Sequence, residues 1–156
     1  MRKKNKKETT RESGEDVAKR WIAAVIKGVQ KFTDKDQQIK ILELCGHNCA
    51  QYDLEILKRL KKNAKDHLEL LDFMNKHIPW CGQWTWEKDY IHSICKSCGC
   101  PLVHGHYAPL NPIFCLCSQG YVKTIFSEAF GREVSVTLSK AISRGDTYCE
   151  FFVYLK

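Results

Sequence analysis

The segment Cys95 to Tyr121, CKSCGCPLVHGHYAPLNPIFCLCSQGY, constrains this chain more than any other. It holds five of the nine cysteines, two of the six histidines and three of the four prolines. Two clusters, Cys95/Cys98/Cys100 and Cys115/Cys117, flank a loop with His104 and His106. Thiolates this close repel one another or oxidise unless something holds them, and zinc or an iron–sulfur cluster does so well. Cys95-x-x-Cys98-Gly99 has the shape of a zinc knuckle, because a glycine after the second cysteine lets backbone N–H groups turn toward the sulfurs. On an extended segment Cys115 and Cys117 point the same way and can share a metal. The predicted ligands are therefore Cys95, Cys98, Cys115 and Cys117, with Cys45, Cys49 and Cys100 as alternates. Zinc is the expected metal, with an iron–sulfur cluster as the other candidate.

Around this segment the chain reads as helical first and β later. Ser13 is placed to cap a helix, with Asp16 as its partner. Val17, Ile22, Trp21, Val25, Ile26 and Val29 then form an apolar stripe, expected to be core. Thr33 is the next expected N-cap, with Asp34 and Asp36 in the first turn. In CGHNCA, Cys45 and Cys49 share a helix face if the helix continues through Gly46 and Asn48, both poor helix formers. They are either small buried hydrophobes or contacts to metal or substrate. Asp53 is expected to cap a third helix, and a fourth runs from Leu68 to the stop at Pro79.

After Pro79 the alternation of Trp84 and Trp86, a turn at Lys88-Asp89 and the run Tyr90–Ile94 predict a hairpin. A helix is expected from Ser118 to Gly131. Val134, Val136 and Leu138 alternate, Arg144-Gly145-Asp146 turns, and Cys149, Phe151, Val153 and Leu155 alternate again, predicting a second hairpin with Phe151 and Val153 facing inward. The expected fold is α+β: N-terminal helices packed on an antiparallel sheet of two hairpins, with the cysteine-rich loop and a helix between them. Residues 1–13 read as a disordered basic tail and 14–156 as one domain.

The net charge of +7 is concentrated at the start. Residues 1–20 carry eight Lys/Arg against four acids, leaving +3 for the other 136 residues. A short basic end is usually solvated, so nucleic acid is not an expected partner. No stretch approaches the roughly 20 apolar residues of a membrane span, so no membrane partner is expected. No secretory signal is legible, which points to the cytoplasm and, with an odd cysteine count, to reduced thiols. A small-molecule ligand is the expected partner, and a homodimer is left open.

Two other chemistries fit the same residues. Cys117 just before the Ser118 helix would gain nucleophilicity from the helix N-terminus, with His47, His104 or His106 as base and Asp146 orienting it. That would make a Cys- or metal-dependent hydrolase of a small amide or ring substrate. The basic tail could alternatively contact nucleic acid.

The motifs CGHNCA, CGCPLV, FCLCSQGYVKTIF and FGREVSVTLSKAISRGDTYCEFFVYL resemble a bacterial cysteine-rich family of unknown function. The part from Leu102 to Leu155 is also similar to 4-vinyl-reductase-type small-molecule-binding domains, and more loosely to the aminothiazoline-carboxylate hydrolase family. The resemblance implies a bacterial cytoplasmic protein with an α+β ligand-binding fold and a cysteine-bound metal. The leading expectation is a metal-binding domain that binds or senses a small molecule.

Overall fold

A computed structural model describes residues 12–79 and 82–156. The tail expected at 1–13 thus falls, up to residue 11, outside the described residues. Among the described residues five α-helices, α1 (Gly14–Phe32), α2 (Lys35–Asn63), α3 (His67–His77), α4 (Pro101–His104) and α5 (Phe114–Phe130), accompany four strands, β1 (Trp84–Trp86), β2 (Ile91–Cys95), β3 (Val134–Lys140) and β4 (Cys149–Leu155). The sheet order is β1-β2-β4-β3, and every neighbouring pair is antiparallel. The fold is α+β, as the sequence predicts.

Ser13 caps α1, its hydroxyl accepting from the Asp16 N–H. The expected Thr33 cap is displaced by one residue. Thr33 closes α1, and Asp34 opens α2 with a capping box whose partner is Gln37. A carboxylate accepts from the free N–H groups of a first turn better than a hydroxyl does, and such a cap stabilises a helix by about 1 kcal/mol.

The sequence suggests a break near Gly46 and a new helix at Asp53, but α2 runs unbroken through both. Its buried residues, Leu42, Gly46, Ala50 and Leu57, form one stripe that lies against α5. The contact is backbone to backbone. A Cβ added at Gly46 would lie 2.1 Å from the Cys117 carbonyl oxygen, and one at Gly120 would lie 2.6 Å from the Glu43 Cα. Packing at this crossing outweighs the roughly 1 kcal/mol by which glycine disfavours a helix interior. Asp53 sits mid-helix and accepts a hydrogen bond from the Tyr121 hydroxyl at 2.6 Å.

Helix α5 is buried on two sides because it lies between α2 and the sheet. Gly120 and Tyr121 meet α2, while Val122, Ile125, Phe126, Ala129 and Phe130 belong to the main core. It ends at Gly131, whose φ of 67° suits a residue without Cβ. From the sheet, Trp84, Ile91, Val134, Leu138, Phe151 and Val153 complete that core. Phe151 stands opposite Ser93 and Leu138, and Val153 opposite Ile91 and Val136, so the predicted inward face of the second hairpin is correct. Phe152 is half-buried and Tyr154 exposed on the other face.

The apolar stripe of α1 is not core. None of its residues is buried, and Trp21 retains 66% of its surface, Val17 48% and Val25 40%. Ile22, Ala23 and Ile26 instead border a gap of about 130 Å³ against Ala108, Pro109 and Phe114.

Candidate functional site

The cysteines separate into two groups because the segment around Cys115 is helical. The sequence suggests an extended stretch with its helix starting at Ser118, but α5 begins at Phe114. Residues two apart on a helix point roughly 200° apart rather than the same way. Cys115 and Cys117 therefore face opposite sides of α5, toward different partners.

Cys115 faces a narrow cleft of about 30 Å³ at the end of the sheet. Its Sγ lies 2.8 Å from the Ser143 hydroxyl. The loop after β2 contributes Cys98 and Cys100, β4 contributes Cys149 and Phe151, and Leu138 and Phe114 close the apolar walls. Cys95, buried at the end of β2 opposite Cys149, also lines it. Burial pushes the Cys98 and Cys115 thiols upward, with Ser143 partly opposing this at Cys115. Both are neutral thiols at pH 7, so the cleft is soft, polarisable and weakly polar.

Cys117 lies on the α2 side of α5, beside Cys49, and the two thiols influence each other's titration. Cys45 lies one turn before Cys49 and, like Cys49, is exposed. The neighbouring Cys117 thiol holds the Cys49 thiol below its ordinary value, against an opposing effect of burial. The neighbouring Cys49 and burial raise Cys117, which keeps its proton. Tyr121, one turn after Cys117, is also raised, by burial and by its bond to Asp53. Cys49 is thus an exposed, acidic thiol held by a protonated neighbour. Its alkylation by iodoacetamide is expected to have a midpoint below that of an ordinary thiol and to outpace that of Cys45 at pH 7. In Cys117→Ala the midpoint should move up toward the ordinary thiol value of about 8.5. Peptide mapping of the alkylated chain against pH checks this, and an unmoved midpoint would show that Cys117 does not control Cys49.

The four predicted ligands do not form one cluster. Cys98 and Cys115 share the cleft, Cys117 belongs to the Cys49 group, and Cys95 is disulfide-bonded. The expectation of reduced thiols is corrected at Cys95, and a sulfur in that oxidised form offers a metal no thiolate. Cys100 lines the cleft with Cys98 and Cys115 and also lies within electrostatic reach of Cys117, beside which Cys45 and Cys49 stand. Among the described residues no three His, Cys, Asp or Glu side chains stand close enough together to hold a metal ion.

The constellation suggested for a Cys nucleophile is also dispersed. Cys117 is the fourth residue of α5 rather than the residue just before the helix. His104 and His106 are exposed, His47 faces Thr124 and Gln51, and Asp146 accepts from the Ala141 N–H at 2.7 Å. Sequence reasoning missed Ser143, Tyr121 and Asp53, and assigned Cys149 only to the core. The available signal was Gly46 and Gly120, since a glycine inside an otherwise helical stripe marks a close approach.

A family model described as a family of unknown function (DUF6144) matches residues 4–156. The chain belongs to that family. No curated protein matches it. Among solved structures it is similar to the phenol-responsive sensory domain of the transcription activator PoxR, crystallised with phenol, at 11% identity and a TM-score of 0.58 over 88% of this chain and 74% of that one. It is also similar to a trafficking protein particle complex subunit 3 from Naegleria fowleri, covalently bound to palmitic acid, at 13% identity and a TM-score of 0.59 over 91% of this chain and 94% of that one. At these identities the likeness is one of fold. It extends over the helical half as well as the Leu102–Leu155 part, and neither structure is described as a 4-vinyl reductase or a hydrolase.

Proposed function

We propose that this protein is a small-molecule-binding sensory domain whose ligand enters the cleft between α5 and the Cys95–Cys149 end of the sheet. The observation that carries this reading is the cleft itself. Apolar walls from Phe114, Leu138 and Phe151 converge there with Cys98, Cys115, Cys149 and the Ser143 hydroxyl. An apolar pocket with a few polar groups is the usual form of a small-molecule site. The shared fold of a phenol-responsive sensory domain supports it.

At about 30 Å³ the cleft holds little more than a water at rest, so binding a ring requires the 97–100 loop to move outward. Phenol is the probe that tests this. At about ten times its Kd it is expected to add roughly 1.4 kcal/mol, a rise of about 3–5 °C in melting temperature. Ser143→Leu, which fills the cleft, should abolish the rise. Palmitate should give none, since its chain needs a far deeper channel. No stabilisation by phenol, or the same rise in Ser143→Leu, overturns the reading.

A bound metal is the second reading, favoured by the concentration of thiols on one cleft. Against it, no three of the donors among the described residues stand close enough together to hold a metal ion as arranged. Elemental analysis of anaerobically purified protein decides it. Zinc or iron at one equivalent, lost in Cys98→Ser and Cys115→Ser, would establish the site, and protein without metal would end the reading.

A further inference from the structure

We propose that α1 is an in-plane anchor that binds an anionic lipid surface. The helix exposes an apolar stripe, Val17, Trp21, Val25 and Phe32, along its outer side. Its other apolar residues, among them Ile22 and Ile26, face the rest of the protein. The stripe is not satisfied elsewhere in the described structure, and a large aromatic such as Phe32 retains 77% of its surface.

Charge identifies the occupant. Residues 1–31 carry ten Lys/Arg and four Asp/Glu, a net +6 out of the chain's +7, of which residues 1–11 supply +5 and residues 12–31 supply +1. On the helix itself Lys27 and Lys31 follow the stripe along one edge, with Arg20 beside them paired to Glu12, and the Lys31 ammonium sits 5.2 Å from the Phe32 ring centre. Trp and Phe on one face, cations beside them and modest overall hydrophobicity are the features of helices that lie in the headgroup region. A second copy of this chain would bring two basic N-terminal segments into the same neighbourhood, which disfavours pairing through α1. A nucleic-acid backbone would satisfy the cations but leave Trp21, Val25 and Phe32 in water. No helix among the described residues is long and apolar enough to cross a membrane, so α1 lies on the surface rather than spanning it.

The test is sedimentation of the full chain with phosphatidylcholine vesicles, with and without phosphatidylglycerol. Binding is expected to be about tenfold or more tighter with the anionic lipid. It should weaken in about 1 M salt, where the screening length falls to about 3 Å. Trp21→Asp and Val25→Asp should each lower partitioning about tenfold while leaving circular dichroism and melting temperature unchanged, since both positions are exposed. Deletion of residues 1–11 should weaken binding and reduce its salt dependence. Equal binding to both vesicle types overturns the proposal. So does anionic binding that both Asp variants retain, which would assign it to the basic residues alone. A dimer by light scattering that Trp21→Asp dissociates would give the stripe to a second copy and overturn it as well.

Discussion

Gly46→Ala is expected to destabilise the protein by about 3 kcal/mol or more, or to prevent folding. Two effects oppose each other at this position. Alanine improves the intrinsic preference of a helix interior by about 1 kcal/mol. Against this, its Cβ would lie 2.1 Å from the Cys117 carbonyl oxygen, 2.5 Å from the Tyr121 nitrogen and 2.9 Å from the Gly120 carbonyl carbon. All three are main-chain atoms, so no rotamer change relieves the clash. The two helices must part by about an ångström, and a close-packed interior does not absorb such a shift locally. The displacement would also pull apart the Asp53–Tyr121 bond beside the crossing. Gly28→Ala is the control, because a Cβ there meets nothing within 4 Å. It should stabilise by about 0.5–1 kcal/mol through helix preference alone. Urea unfolding of the two variants reads both signs. A Gly46→Ala variant as stable as the wild type would mean that α2 and α5 do not touch there.

The elements of this fold were legible where local chemistry specifies them. Ser13 as a cap, Pro79 as a stop, Gly131 as a left-handed terminus and the alternation of Val134 to Leu138 against Phe151 to Leu155 each act within a few residues. The misreadings involve contacts that sequence distance hides. Gly46 looks like a helix breaker until Gly120 is placed against the same helix, and Asp53 looks like a cap until Tyr121 reaches it. The α1 stripe has the periodicity of a core face, but periodicity does not say whether a partner covers it. At the cysteines, spacing was read on an extended chain, and the helix that begins four residues earlier turned Cys115 and Cys117 apart. The cleft itself depends on Ser143 and Cys149, more than 25 residues after Cys115, so local spacing carries no trace of it.

Phe151→Ala is expected to cost about 3–5 kcal/mol. Phe151 keeps only 2% of its surface, sits between Ser93 and Leu138 on the inner face, and lies 6.1 Å from the Trp84 ring. Removing its ring deletes contacts from both the main core and the wall of the cleft. Tyr154→Ala, on the outer face and 40% exposed, should cost far less, about 1 kcal/mol. A reversed order would place the strand one residue out of register, since such a slip exchanges every inward side chain for its neighbour. The variant also bears on the cleft. With the ring gone, the space beside Cys149 and Leu138 approaches the size of a phenyl group. Phenol should then restore part of the lost stability without the loop movement that the wild type needs. A dry apolar cavity of that kind accepts a ring readily. Calorimetric unfolding of Phe151→Ala with and without phenol measures the loss and its recovery together. A loss without recovery would confirm Phe151 as core and indicate that the vacated space collapses. Recovery that exceeds the wild-type response would identify the cleft as the place where a ring binds.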